Sequence, residues 1–245
     1  LHSPARTYLL LNPPVLYDLT ILPLGWVGLI DSGGIWRLIY HNVTTVYDVT
    51  TSGALAADTR YYIYGYESGG SLAFERSTTA PDNRLQYKSG DKTRVYVTTF
   101  ITTDLSLPIG YTQSGRVFTY ETFVPSTTEA GTAAGPHGNL ILNDAPLVGA
   151  ATALSLGLAV PSYARQAIVR VSAVGAALWS RVKITNQVTA TESGRLLNYM
   201  GADDFGIQAV IDQPANRGAP AALYYRWDSS NPAMLLNLWA VGFVE

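Results

Sequence analysis

The sequence has 245 residues, 14% of them charged, with 16 basic against 18 acidic side chains and a net charge of −2. Such a balance excludes the basic footprint of a nucleic-acid-binding domain and offers no field to draw the chain to an anionic membrane. Cysteine is absent, which excludes disulfide frameworks and thiolate metal sites but does not fix the compartment.

The length suits one large β domain or two of ordinary size, each able to bury a substantial core. Hydrophobic residues make up 47% of the chain and the mean hydropathy is positive. More surface than usual is therefore expected to be hidden, and subunit contacts are the plainest place to hide it. At the start of the chain Leu9-Leu-Leu11 is stopped by Pro13 and Pro14, so no signal peptide is expected there. The longest weakly polar run, Leu147 to Val160, falls short of the roughly 20 residues that span a bilayer. Neither nucleic acid nor membrane insertion is expected among the partners.

In chain order, strands are expected at Tyr8–Leu11, Tyr17–Leu22, Trp26–Ile30, Ile35–Tyr40 and Val43–Val49, separated by Asn12-Pro-Pro14, Pro23 and Asp31-Ser-Gly-Gly34. Close spacing with Gly, Pro, Asp and Ser turns indicates antiparallel β structure. Asp31-Ser-Gly-Gly34 has the residues of a hairpin turn needing positive φ. Residues 61–66, Tyr-Tyr-Ile-Tyr-Gly-Tyr, suit a half-buried pleated surface. Glu67-Ser-Gly-Gly-Ser71 follows as a turn and Leu72-Ala-Phe-Glu75 returns as the partner strand. Arg94–Ile101 is the strongest strand of this half.

From Pro125 to His137 the chain turns to Pro, Ser, Thr, Ala and Gly with little apolar bulk, too little to offset its ordering entropy. The expected organisation is an N-terminal β domain (1–124), a linker or exposed loop (125–137) and a C-terminal β-sandwich domain (138–245); a long loop inside one sandwich is the alternative. Beyond it, strands are expected at Gln166–Ser172, Leu178–Ile184, Gly206–Ile211, Ala222–Trp227 and Met234–Val244, the last two joined as a hairpin through Asp228-Ser-Ser-Asn-Pro232. Ala150–Leu158 is expected to form a helical turn or two. The fold class is all-β, with two antiparallel β-sandwich or jelly-roll-like domains.

The segments Leu55–Tyr66, Ser71–Asp82 and Tyr87–Asp104, and later Val160–Val171 and Leu223–Glu245, resemble stretches of virion surface proteins of tailed bacteriophages, chiefly tail fibres and spikes. Over about two thirds of the chain, the shared words are packing and turn signals. The resemblance implies a non-enzymatic structural protein on the virion surface, assembled in the host cytoplasm, that works in assembly or host attachment. Its partners would be copies of itself, as a homotrimer, other virion proteins, and host surface polysaccharide. A capsid decoration protein is the alternative within that class. From other classes come a polysaccharide-degrading tailspike and a cellular carbohydrate-binding module.

The chemistry-bearing residues point to no catalytic or metal site and to no cofactor. His2, His41 and His137 lie far apart and lack metal-ligand spacing; His41 is expected to complete a turn. Asp203, Asp204, Glu192 and Asp212 are the acids a glycosidase pair would draw on, yet Gly201–Gly206 reads as a solvated loop. There is no Gly-x-Ser-x-Gly elbow. Gly33-Gly34 and Gly69-Gly70 are turns, with no helix following to cradle phosphate. Asn42-Val-Thr44 fits the glycosylation pattern, which would be uninformative in the phage protein that the resemblance implies. Tyr61, Tyr62, Tyr64, Tyr66, Tyr224, Tyr225, Trp227 and Trp239 suit sugar stacking by their flat rings and polar handles. In an all-β chain core or interface use is the commoner role for such residues, so the ligand-binding residues stay unknown.

Overall fold

A computed structural model describes residues 7–12, 16–82, 84–103, 106–120, 140–145, 148–156, 158–174, 177–185, 195–201, 206–212, 222–229 and 235–245. The described chain is all-β: it contains strands and turns, no helix, and every strand pairing whose register is described is antiparallel. It divides into two compact units, Leu1–Thr122 and Phe123–Glu245. The segment 125–137 lies outside the described residues.

In the first unit the strands are β1 (Thr7–Asn12), β2 (Leu16–Ile21), β3 (Gly25–Ile30), β4 (Trp36–His41), β5 (Thr45–Asp48), β6 (Arg60–Ser68), β7 (Ser71–Ser77), β8 (Tyr87–Lys88), β9 (Asp91–Ile101), β10 (Tyr111–Ser114) and β11 (Val117–Tyr120). They form a ladder in the order β5-β2-β1-β10-β11, a four-stranded sheet β7-β6-β9-β8, and a separate two-stranded sheet, β3-β4. The expected strands of this half are all present. The short β10–β11 pair, anchored by stacked Tyr111 and Phe118 at 5.7 Å, had no counterpart in the sequence reading.

β6 is the centre of the unit. Its residues from Arg60 to Gly65 are buried, so this strand is covered on both faces over most of its length where a half-buried one was expected. The reason is tertiary: β7 and β9 flank it, and neighbouring elements close each face. On one face Tyr61 stacks on Phe100 at 5.3 Å while the Arg76 guanidinium lies 4.7 Å from the Tyr61 ring centre. On the other, Tyr62 and Tyr64 meet Tyr96 edge-on at 6.5 and 6.2 Å. Tyr64 donates its hydroxyl to the Thr79 carbonyl at 2.7 Å, and burial pushes its phenol far above the usual tyrosine range. The β6–β7 turn is the tight one foreseen, with Ser68 opposite Ser71 and Gly69 and Gly70 both at positive φ, +59° and +83°, a conformation most other residues enter only at a cost.

The second unit contains β12 (Leu140–Ala145), β13 (Val148–Ser155), β14 (Gln166–Val174), β15 (Ala177–Thr185), β16 (Arg195–Gly201), β17 (Gly206–Asp212), β18 (Ala222–Ser229) and β19 (Leu235–Val244). One sheet runs β17-β14-β19, with β12 also on β19; the other runs β13-β18-β15-β16. Two expectations are corrected. The described residues of the stretch 150–158 are not helical: β13 carries it as far as Ser155, with Thr152, Ala153, Leu154 and Ser155 opposite Tyr225, Tyr224, Leu223 and Ala222. Its small residues carry little strand preference of their own, and pairing with β18 overrides that. The last two strands do not form a hairpin either. β18 lies in one sheet between β13 and β15, whereas β19 lies in the other between β14 and β12, so the chain changes sheets after Ser229. A turn signature shows that the chain reverses or breaks, not which strand it rejoins.

The inner side of the β3–β4 hairpin makes a small core of Val27, Leu29 and Ile39 with Val95 of β9, bordered by Leu24, Leu72 and Tyr87. A lone two-stranded hairpin is marginal in water, so this core is what holds it to the β6–β9 sheet. Leu29 is fully buried there. Leu29→Ala should cost about 2–5 kcal/mol of stability, read as a lowered urea midpoint; an unchanged midpoint would show that the hairpin does not depend on this core.

Candidate functional site

The feature of the described residues that asks for an explanation is the other side of the same hairpin. β3 and β4 pair with Trp26 opposite Tyr40, Gly28 opposite Leu38 and Ile30 opposite Trp36. Alternation puts these on one face and Val27, Leu29 and Ile39 on the other. The inner set is buried, whereas Trp26, Trp36, Leu38 and Tyr40 are 60%, 61%, 50% and 55% exposed. Ile35, beside the turn, and Val43, after the hairpin, are also exposed. Single exposed apolar residues are ordinary; a contiguous aromatic face marks an interaction surface.

The face is ordered by its own contacts. Trp26 and Tyr40 lie ring against ring at 4.8 Å with a 40° tilt. The Trp36 indole lies across the strand over Gly28: a Cβ at residue 28 would come within 2.9 Å of its Cζ2. The absence of a side chain at Gly28 thus creates the bed in which Trp36 rests.

Two polar devices hold the hairpin in shape. At its tip, Asp31 accepts hydrogen bonds at Oδ1 from the backbone of Gly33 and Ile35, at 2.9 and 2.8 Å, and at Oδ2 from Arg37 Nε at 2.8 Å. Gly34 takes the positive φ of +80°. The Arg37 contact, then the two backbone N–H groups, holds the Asp31 carboxyl below the usual carboxylate range. At its base, His41 is buried. Its Nδ1 accepts from the Leu24 backbone N–H at 3.3 Å, its Nε2 meets Thr45 Oγ1 at 3.0 Å, and its ring meets Phe74 edge-on at 5.6 Å. An accepting Nδ1 places the ring proton on Nε2. His41 therefore joins the hairpin to the start of β5, a more structural role than the turn completion expected of it.

The residues weighed in the sequence for binding or catalysis fall elsewhere. Tyr61, Tyr62 and Tyr64 are core, and Tyr66 is half-buried beneath the Arg94 guanidinium at 4.5 Å. Glu75 bridges Lys88 Nζ and Arg94 Nε at 3.1 and 2.8 Å, so this charged group braces the sheet. Trp239 is buried on β19. Tyr224, Tyr225 and Trp227 occupy β18 at the register of Ala153, Thr152 and Val148, and Asp212 ends β17 opposite Gln166. His2, His137, Glu192, Asp203 and Asp204 lie outside the described residues. Among the described residues no three His, Asp or Glu side chains gather as metal ligands do.

Trp26, Trp36, Leu38 and Tyr40 were not singled out from the sequence, although a signal was there. Trp26–Ile30 and Ile35–Tyr40 are apolar at nearly every position, without the alternation of a one-sided strand. Such a pattern belongs to strands covered on both faces, and here the described chain covers only one.

No protein-family model matches the sequence, and no curated protein is significantly similar to it.

His41 makes stability depend on pH. Burial lowers its pKa below the ordinary 6.5, so on acidification the unfolded chain takes up a proton that the folded chain refuses. The contribution is complete above pH 6.5 and drains away as the pH falls from there through the lowered folded value. Urea midpoints between about pH 7.5 and 5 should decline, and His41→Gln should flatten that decline; equal slopes in the two proteins would refute the assignment.

Proposed function

We propose that this chain is a non-enzymatic structural protein of the virion surface of a tailed phage, of the tail-fibre or spike type, acting in assembly or host attachment. The observation that carries this reading is the ordered aromatic face of the β3–β4 hairpin, on a low-charge chain whose described residues are all β. Rigid antiparallel sheets with an apolar face to spare are suited to locking subunits together while their loops stay outside. The resemblance of Leu55–Tyr66, Ser71–Asp82 and the closing Leu223–Glu245 segment to phage fibre sequences points to the particle and to a homotrimer.

Six of the described carboxylates have roles in shaping turns and sheets, which supports a reading without catalysis. Asp31, Asp48 and Asp82 each accept hydrogen bonds from turn or loop residues within a few positions of themselves, Asp91 accepts from Thr93 two residues along β9, Glu67 accepts from Gly70 N–H, and Glu75 is held between two cations. A glycosidase would need an acid and a base or nucleophile roughly 5–10 Å apart in a cleft, and these groups are occupied with shaping the sheets.

Two measurements test the reading. Light scattering should give the mass of three chains at micromolar concentration. Purified protein incubated with host surface glycans should be retained without releasing reducing ends. Reducing-end release abolished by a single Asp or Glu substitution would overturn the non-enzyme proposal, and immunolabelling of the capsid surface would replace the fibre by a decoration protein.

A further inference from the structure

We propose that the outer face of the β3–β4 hairpin, Trp26, Trp36, Leu38 and Tyr40 with Ile35 at its end, is where copies of this chain bind one another. The inference rests on the assembly reading above and assigns the contact between copies to this one face.

Area is the first argument. An aromatic side chain offers about 150–250 Å², and at the observed exposures the three rings together with Leu38 and Ile35 present roughly 500 Å². That is at the upper end of what a monomer leaves uncovered, about 300–600 Å². Three such faces gathered in the trimer would hide roughly 1,500 Å², more than the ~1,000 Å² that a specific interface must clear.

Chemistry selects the occupant. The outer positions of the two strands carry no ionisable group except the Tyr40 phenol, and their only side-chain hydrogen-bonding groups are that hydroxyl and two indole N–H groups. A sugar stacked here would find almost nothing to pair with its hydroxyls. The centre of a protein interface has this very composition, rich in Trp and Tyr and depleted of charge. A net charge of −2 over 245 residues leaves little repulsion between identical copies.

Geometry favours a second copy. Trp26 is held against Tyr40 and Trp36 against Gly28, so the rings lose little freedom on association. The local twofold of this antiparallel pair exchanges Trp26 with Trp36 and Ile30 with Tyr40, as the register requires. Each end of the face therefore presents an indole, so a neighbouring copy meets the same kind of anchor at either end.

The test uses sedimentation of the full chain with two variants. Leu38→Asp places a charge at the centre of the face and should weaken association by about thirtyfold or more, the effect of losing a central contact. Gly28→Ala keeps the apolar area but pushes Trp36 from its bed, and it should weaken association too if the fit is specific. Urea midpoints measured at a dilution where the wild type is also dissociated should stay close to one another, because neither residue belongs to the inner core. Since the chain has no cysteine, Leu38→Cys adds a single thiol, which should react slowly with a thiol reagent in the oligomer and freely on dilution. Oligomers unaffected by both substitutions, with the introduced thiol reacting freely in them, would overturn the inference and leave the assembly reading standing. A wild type monomeric at tens of micromolar would overturn both. Loss of glycan retention in a Leu38→Asp monomer derived from a monomeric wild type would assign the face to sugar instead.

Discussion

A two-stranded sheet resting on a larger one can bury only the face it rests on. In this protein that constraint falls on a hairpin that is apolar on both sides. Val27, Leu29 and Ile39 are drawn against Val95 and Leu72, removing them from water and holding the hairpin in place. The same alternation that buries them sends Trp26, Leu38 and Tyr40 outward. Inner core and outer face are thus one decision: a one-residue slip in register would exchange them.

That register is guarded at both ends by polar groups. Asp31 ties the turn to Arg37 across the tip, and His41 ties the base to Leu24 and Thr45. Each is a buried group whose hydrogen bonds offset its removal from water. The two respond differently to acid: Asp31 is held charged and loses its contribution only well into the acid range, whereas His41 is held neutral and begins to lose its contribution below pH 6.5. The base of the hairpin is therefore its acid-sensitive end.

The sheet beneath is built to carry this load. β6 is buried on both faces through Gly65, and the close approach of Leu72 over that glycine, 3.1 Å from where a Cβ would stand, brings β7 into the shared core. Beyond it the Glu75, Lys88 and Arg94 network and the cation–aromatic contacts to Tyr64 and Tyr66 use the tyrosines as framework. The aromatic-rich strand that stands out most in the sequence is therefore the interior of the unit, and the exposed aromatics come from a less conspicuous segment.

Sequence alone determined the local features: strand content, antiparallel character, and the tight turns at Asp31–Gly34 and Ser68–Ser71, because β-branched and aromatic runs and Gly pairs at positive φ act through their own backbone. Only the tertiary structure decided what depends on distant neighbours. Pairing with β18 turned residues 148–155 into a strand, β19 joined β14 rather than β18, and β6 gained cover on its second face. The same holds for the hairpin: Trp26-Val-Gly-Leu-Ile30 and Trp36-Arg-Leu-Ile-Tyr40 carry apolar residues on both sides. Which side faces water was set by where Val95 and Leu72 arrive from much further along the chain, and nothing within the hairpin itself encodes that.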